Sequence, residues 1–248
     1  MKSVRWWIWL LAGAVLVSVA TNIFLAKELR QFYAERLQAQ IYPAGQPQSP
    51  RVTSDARHYQ STILLFGDSR MAAWTFPPMA GVRLVNGGVN GATTAQLRLR
   101  LPQLLEEFHP DVVVLQAGIN DLKLAGIQPE RAEELVAQAA DNLEAMAADC
   151  LAHHCRVLLL LTWPPGPPEW RRLPVWNQQV PEAVTRLNLR LKAFGATHQN
   201  AVVVDLLAEG GRQPTPADFK DALHFRPEFY QHLTPPLLRR LQKLETAP

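Results

Sequence analysis

The sequence predicts an α/β fold in which five parallel strands form the middle layer of a three-layer α/β/α sandwich, preceded by a transmembrane helix. Short apolar runs alternate with amphipathic stretches from residue 59 onward, which is typical of βα units. The runs are almost free of charge, as expected for strands that helices cover on both faces. A long uncharged stretch near the N-terminus adds the membrane segment, and 248 residues suffice for one such domain.

The composition is that of a globular protein. Hydrophobic residues make up 48% of the chain and charged residues 19%. The net charge is +3, and Lys2 and Arg5 precede the first apolar run, so the remainder of the chain is close to neutral. We therefore expect no basic surface of the kind that binds nucleic acid.

The uncharged stretch covers residues 6–26 and is long enough to cross a hydrocarbon core as a helix. Lys2 and Arg5 stand before it, which favours a cytoplasmic N-terminus. A signal peptide cleaved near Ala20 is the alternative, but apolar residues continue to position 26 and favour an uncleaved anchor. Both interpretations export the rest of the chain. We expect a single-pass protein of a bacterial inner membrane that faces the periplasm.

Three regions follow from this pattern: an anchor, residues 1–26, a juxtamembrane region, residues 27–58, and the main domain, residues 59–248. The juxtamembrane region begins as a polar, solvated helix over residues 27–40. Its later part, residues 42–55, is rich in Pro, Gln and Ser, and we interpret it as a linker.

The main domain contains five strand candidates and five helix candidates. The strand candidates are Thr62–Phe66, Val82–Val85, Val112–Leu115, Val157–Leu161 and Ala201–Val204. The helix candidates are Ser69–Trp74, Thr94–Phe108, Pro129–Ala152, Pro181–Gly195 and Arg226–Leu244. Right-handed crossovers between the strands would place helices on both faces of the sheet.

Polar and glycine-rich loops follow four of the predicted strands. The carboxyl ends of parallel strands meet at one edge of the sheet, so these loops should converge on a crevice there. The loops are Gly67–Ser69, Asn86–Thr94, Gly118–Asp121 and Thr162–Pro168.

Ser69 is the candidate nucleophile of this crevice. It opens a helix after a strand and a glycine turn, where free N–H groups favour developing negative charge. Near the C-terminus, Asp221 precedes His224 by three residues, so the carboxylate can orient an imidazole that takes the Ser69 proton. A helix-capping serine and a surface Asp–His pair are the structural alternatives.

Gly88 and Asn120 are candidate oxyanion donors, together with the N–H of Ser69 itself. Glycine lets the backbone approach a ligand closely, and the side-chain amide of Asn120 is an uncharged donor. Taken alone, each residue is also explained by a turn or a helix cap.

The four motifs together resemble the GDSL family of the SGNH hydrolase superfamily, over about residues 62–240. Gly67-Asp68-Ser69 is similar to its first block, Gly88 to the glycine of its second, Gly118-Ile119-Asn120-Asp121 to its GxND block and Asp221-Ala222-Leu223-His224 to its final DxxH. Arg70 stands where the family name has leucine, at a position that varies among relatives.

The resemblance implies a flavodoxin-like sheet of five parallel strands and ester hydrolysis or acyl transfer without a metal or other cofactor. It implies a catalytic triad of Ser69, His224 and Asp221, with Ser69, Gly88 and Asn120 forming the oxyanion hole. We expect a membrane-anchored, exported esterase for short-chain or O-acetyl esters, carried by a glycan or a lipid. An O-acyltransferase of envelope glycans and a catalytically silent envelope-binding module are the alternatives. The oligomeric state is left open.

Arg70 and Trp163 are the candidate substrate contacts. Arg70 either meets an anionic substrate group or lies in solvent. Trp163 belongs to a loop rich in Pro and Trp, where an indole face stacks on a sugar ring or acyl chain or simply fills space.

Cys150 and Cys155 enclose a short loop that contains His153 and His154. In an oxidising compartment a disulfide between the two cysteines is favoured, with free thiols as the alternative. A metal site is disfavoured because four adjacent ligands on one loop do not match known zinc spacings.

Overall fold

The computed structural model describes residues 2–41, 49–52, 59–170, 175–198 and 200–246. One sheet forms its centre. Its strands are β1 (Arg51–Val52), β2 (Ser61–Gly67), β3 (Val82–Asn86), β4 (Val112–Gln116), β5 (Arg156–Leu160) and β6 (Ala201–Val204). The strand order is β1-β3-β2-β4-β5-β6.

The five long strands are parallel, in the order expected of a doubly wound, flavodoxin-like sheet. The predicted α/β fold is therefore confirmed. One strand was missed: β1 pairs antiparallel with β3, with Arg51 opposite Asn86. It lies in the segment that we interpreted as a linker, and two residues are too few for a strand periodicity to show in the sequence.

The helices are α1 (Lys2–Ile41), α2 (Ser69–Ala73), α3 (Thr94–Phe108), α4 (Ile119–Leu122), α5 (Ala132–Ala152), α6 (Gln179–Thr197), α7 (Leu206–Glu209) and α8 (Pro227–Thr246). Short 3₁₀ helices cover Lys123–Gly126, Pro129–Arg131 and Pro216–Asp218. The predicted helices are present, with ends shifted by a few residues. The single-turn helices α4 and α7 were missed because four residues carry no helical period.

Two apolar cores flank the sheet, as its strand patterns require. Leu64 and Phe66 of β2 point into one core, which contains the inner faces of α3, α5 and α6. Ile63 and Leu65 point into the other, which α8 covers. All four side chains are completely buried, so the strand alternates between two dry faces instead of between core and water.

Helix α1 is continuous from the uncharged stretch into the juxtamembrane region. Within the described residues it holds one stretch, Trp6–Arg36, that is long and apolar enough to cross a membrane, and the most apolar 18-residue window of this stretch has a mean hydropathy of 2.2. Its side chains are exposed from Trp6 to Phe32. The polar side chains of Glu28, Arg30, Glu35 and Arg36 are exposed, as a solvated helix face requires. The helix is not solvated on every side, because Ala34 is 3% exposed and packs with Tyr33 against the domain core.

Cys150 and Cys155 are buried free thiols in the structure, so the favoured disulfide is not formed there. Cys150 lies at the end of α5 and accepts a hydrogen bond from the N–H of Cys155 at its carbonyl oxygen, 2.9 Å away. The thiol of Cys155 instead points to the carbonyl oxygen of His153. Burial raises the pKa of Cys155 to about 11, which disfavours its reactive thiolate form.

Candidate active site

Ser69 is presented at the carboxyl edge of the sheet by the junction of β2 and α2. The side chain of Asp68 caps α2 by accepting the N–H of Arg70 at 2.9 Å. Gly67 permits β2 to end close to β4, because a Cβ atom there would lie 1.9 Å from the main-chain oxygen of Gln116. The glycine turn that the motif contains is thus a packing requirement.

Ser69, His224 and Asp221 form a continuous line of hydrogen bonds. The Ser69 Oγ atom is 2.8 Å from Nε2 of His224, and Nδ1 of His224 is 2.9 Å from Oδ2 of Asp221. The Asp221 carboxylate also accepts the main-chain N–H groups of Leu223 at 2.8 Å and of His224 at 2.9 Å. The spacing of three residues between Asp221 and His224 therefore closes a turn that fixes both side chains.

The electrostatics of Asp221 suit an orienting role. Its partial burial opposes ionisation, but hydrogen bonds from the main chain and ring of His224 and from Leu223 outweigh this effect and lower the pKa of Asp221. An ionised carboxylate only accepts hydrogen bonds, so the proton of a neutral His224 lies on Nδ1. Nε2 is then left as the acceptor that faces the Ser69 hydroxyl.

The predicted oxyanion donors Gly88 and Asn120 both already have protein partners. The Gly88 N–H donates to Oδ1 of Asn86 at 3.0 Å. Gly88 packs directly on α2, because a Cβ there would lie 2.4 Å from the Ala72 nitrogen. Nδ2 of Asn120 donates to the carbonyl oxygen of Ala92 at 2.9 Å. An amide nitrogen carries two hydrogens, so Asn120 has a second donor to offer.

Arg70 lies neither at a substrate surface nor in solvent, so the expectation for it was wrong. Its side chain is completely buried. Nε donates to the carbonyl oxygen of Leu223 at 2.9 Å, Nη1 to that of Trp163 at 2.5 Å and Nη2 to that of Pro164 at 3.1 Å. One guanidinium thus joins the loop before His224, the loop after β5 and the helix that carries Ser69.

Trp163 is also an interior residue, and its burial leaves no exposed indole face for the predicted substrate contact. It is 1% exposed, and its ring packs 5.5 Å from that of Trp74 and 5.2 Å from that of Phe225. Of the two alternatives, substrate stacking and space filling, the packing of this indole in the core agrees with space filling. The arginines at 171 and 172 in the same loop fall outside the described residues.

Sequence reasoning gave no role to Asn86 and Asp121, which hold the oxyanion side together. Nδ2 of Asn86 donates to the carbonyl oxygens of Met71 and Trp74, at 3.0 and 3.2 Å, and so ties β3 to α2. Asp121 accepts the N–H of Thr94 at 3.0 Å and its hydroxyl at 2.6 Å. Burial raises the pKa of Asp121 to about 6. Their positions directly after strands were the available sequence signal.

Among the residues that the structure describes, no group of three or more His, Cys, Asp or Glu side chains is arranged to hold a metal ion. The chemistry available to the site comes from a hydroxyl, an imidazole, a carboxylate and neutral N–H donors.

Comparison with known sequences shows which family the chain is similar to. The sequence model of the GDSL-like lipase/acylhydrolase family matches residues 65–232. Thioesterase 1/protease 1/lysophospholipase L1 of Escherichia coli K12 is 30% identical over 108 residues, which are 39% of this chain and 51% of that protein. Esterase TesA of Pseudomonas aeruginosa is 35% identical over 114 residues, 40% of this chain and 53% of its own. The chain spans about half the length of the curated relatives it matches.

Solved structures with the same fold include two bacterial enzymes. A lipase/acylhydrolase from Enterococcus faecalis superposes with a TM-score of 0.56 at 25% identity, covering 74% of this chain and 96% of that one. A catalytic mutant of an acetylxylan esterase from Geobacillus stearothermophilus gives a TM-score of 0.57 at 18% identity, covering 74% and 95%. At the identity of the second protein, the likeness supports the fold alone.

Proposed function

The chain belongs to the GDSL-like lipase/acylhydrolase family, and from that premise we propose that it is a membrane-anchored, exported serine esterase. It hydrolyses carboxylic esters with Ser69 as nucleophile, His224 as general acid–base and Asp221 as the group that orients the imidazole. One observation carries the proposal: the unbroken hydrogen-bonded line from Ser69 Oγ through both nitrogens of His224 to the Asp221 carboxylate.

The reaction follows from which group holds the proton at each step. Ser69 Oγ attacks the ester carbonyl carbon while Nε2 of His224 takes the hydroxyl proton, and the carbonyl oxygen becomes an oxyanion. The C–O bond to the alcohol then breaks, and His224 gives its proton to the departing alcohol oxygen. Water attacks the acyl-Ser69 ester with His224 again as base, which releases the acid and restores Ser69. Asp221 stabilises the imidazolium in both halves.

The oxyanion is held by the N–H groups of Ser69 and Gly88 and by the side-chain amide of Asn120. Support for Asn120 comes from the bond to Ala92, which occupies one of its two amide hydrogens and leaves the other for the oxyanion. Gly88 would share its N–H between Asn86 and the oxyanion, or exchange one for the other.

Covalent labelling by a fluorophosphonate tests the proposal on the full-length chain in detergent. The probe should phosphonylate Ser69, identified by peptide mass spectrometry, and should fail to label Ser69→Ala. A wild-type chain that hydrolyses esters while Ser69 stays unlabelled would refute the assignment. A folded chain with neither labelling nor hydrolysis would favour the silent envelope-binding module.

The finer statements concern substrate and location. A relative named as an esterase supports carboxylic esters as the substrates, and among these we propose short-chain or O-acetyl esters. Residues 6–26 of α1 support an anchor, and Lys2 and Arg5 support a domain outside the cytoplasm of a bacterial inner membrane. A panel of esters of increasing acyl length, run with and without a saccharide acceptor, measures acyl preference and separates hydrolysis from acyl transfer.

A further inference from the structure

A groove of about 840 Å³ lies between α1 and the segment that follows the 3₁₀ helix Lys123–Gly126. The α1 wall runs from Ile23 to Glu35, and Ile127 with Gln128 forms the opposite wall. Ile127 is 8% exposed and belongs to the main core, so that wall is a fixed part of the domain.

The side chains on the α1 wall change character in a definite order. Ile23 and Ala26 end the uncharged span, and Lys27 and Arg30 follow at once. Glu35 stands about 8 Å beyond Arg30 along the helix axis, at 1.5 Å of rise per residue. The wall is thus apolar first, then cationic, then anionic.

The cationic part of the wall consists of Lys27 and Arg30, whose side chains are exposed. Within the described part of the chain, no ion pair joins Lys27 or Arg30 to a carboxylate. The Glu35 carboxylate accepts a hydrogen bond from Gln31 at 3.2 Å and keeps further acceptor sites. A ligand with a phosphate and an amine would satisfy all three charges.

We propose that this groove binds one membrane phospholipid with an ethanolamine headgroup. The acyl chains lie along Ile23 and Ala26, the phosphate meets Lys27 and Arg30, and the ammonium meets Glu35. The proposal rests on the proposed membrane anchor, because the order of the wall matches the lipid only if residues 6–26 span the bilayer.

Lipid bound in this groove would hold the domain against the membrane surface. The buried Ala34 lies eight residues beyond Ala26, about 12 Å along α1, so the domain contacts its own anchor close to the headgroups. The opposite wall follows the 3₁₀ helix whose Lys123 donates to Oδ1 of Asn120. The groove is therefore one short helix away from a predicted oxyanion donor.

Lipid retention tests the groove in the full-length protein. The chain is reconstituted in nanodiscs of phosphatidylcholine and phosphatidylethanolamine in equal amounts, transferred to mild detergent, and examined by native mass spectrometry. We expect one retained phosphatidylethanolamine. The double variant Lys27→Ala/Arg30→Ala should lower its occupancy at least about tenfold, since two charge-assisted contacts are lost. Arg36→Ala, which removes a charge from the same helix outside the groove, should retain the lipid.

Two further variants test the apolar and anionic parts of the groove. Ala26→Trp fills the apolar end and should expel the lipid with every charge in place. Glu35→Gln should abolish the preference for phosphatidylethanolamine over phosphatidylcholine. Equal lipid retention by the double variant and Arg36→Ala would overturn the proposal. Equal retention of soluble glycerophosphoethanolamine would do the same, because the site would then need no membrane lipid.

The anchor and the esterase are tested separately in the same preparations. A mature N-terminus near Ala20 would refute the anchor and, with it, the lipid groove, whatever the ester hydrolysis rate. Absence of both Ser69 labelling and ester hydrolysis, with normal lipid retention, would refute the esterase and leave the groove intact.

Discussion

The two halves of the candidate site differ in how far they are assembled. In the acid–base half, Ser69, His224 and Asp221 already make the contacts that proton transfer needs. In the oxyanion half, Gly88 and Asn120 point their donors at protein oxygens. In the proposed reaction, the base can therefore act as soon as an ester arrives. The oxyanion has the N–H of Ser69 and the second amide hydrogen of Asn120, and it must compete with Asn86 for the N–H of Gly88.

The supports of the two halves differ in kind as well. Buried Arg70 holds the acid–base half through three main-chain carbonyl oxygens on two loops. Asn86 and Asp121 hold the oxyanion half through bonds to groups that are nearer in sequence, at the ends of α2 and α3. Damage to the first support should therefore spread through the domain, and damage to the second should stay local.

Removal of the Ser69 hydroxyl should have the largest effect on ester hydrolysis, because the acid–base half then lacks its nucleophile. We expect Ser69→Ala to lower kcat on aryl esters at least about a thousandfold, because the remaining donors cannot replace covalent catalysis. Ser61→Ala, at the other end of β2, removes a hydroxyl far from the site and should leave kcat near the wild-type value. Turnover by Ser69→Ala close to that control would exclude Ser69 as nucleophile.

Removal of Arg70 tests the long-range support. Burial raises the pKa of Asp68, and the Arg70 charge opposes that effect. Arg70→Met leaves Asp68 without its buried counter-ion and three carbonyl oxygens without donors, so we expect a loss of about 3–5 kcal/mol in the free energy of unfolding. Urea unfolding of the full chain in detergent measures it.

Arg226→Met is the matched control for this loss. Arg226 also donates to a carbonyl oxygen, that of Ala217, but at an exposed site. Its removal should leave the unfolding midpoint almost unchanged. Equal midpoints for the two variants would show that the Arg70 bonds are not a support of the fold.

Removal of Asn120 should lower kcat less than removal of Ser69 does, but still by a clearly measurable factor. Asn120→Ala should lower kcat roughly a hundredfold with little change in KM, the usual cost of one oxyanion donor. Gln138→Ala, which removes an exposed side-chain amide from α5, serves as the control. A loss below about tenfold would mean that the second amide hydrogen of Asn120 does not reach the oxyanion and that backbone donors alone hold it.

The motif residues were predictable because their chemistry depends on residue type and on position after a strand. Ser69, His224 and Asp221 meet for that reason, and the long strands were visible as uncharged runs. The environment of Arg70 was not predictable, since its partners are carbonyl oxygens, which every residue possesses. The strand β1 and the burial of Ala34 escaped for a related reason. Both depend on which other segment of the chain packs against them, and the residues at the site itself do not specify that segment.

The carboxylates of the two halves should respond to pH in opposite directions. The pKa of Asp221 is lowered in the fold, so its stabilising contribution is present above the unfolded value near 3.9 and is lost as the pH falls. The pKa of Asp121 is raised to about 6 by burial. Between pH 4 and 6 the folded chain keeps a proton on Asp121 that the unfolded chain has released, so stability falls as the pH rises.

The size of the Asp121 effect follows from its pKa in the two states. With about 6 in the fold and about 3.9 unfolded, the free energy of unfolding should drop by about 2 kcal/mol from pH 4 to pH 6. Asp121→Ala should remove this slope, so the wild type should lead the variant by about 2 kcal/mol more at pH 4 than at pH 6. Asp141→Ala, at an exposed ion pair, should leave the slope unchanged. A constant difference between wild type and Asp121→Ala would mean that Asp121 ionises normally in the fold, and the contrast between the two halves would then be one of hydrogen bonding alone.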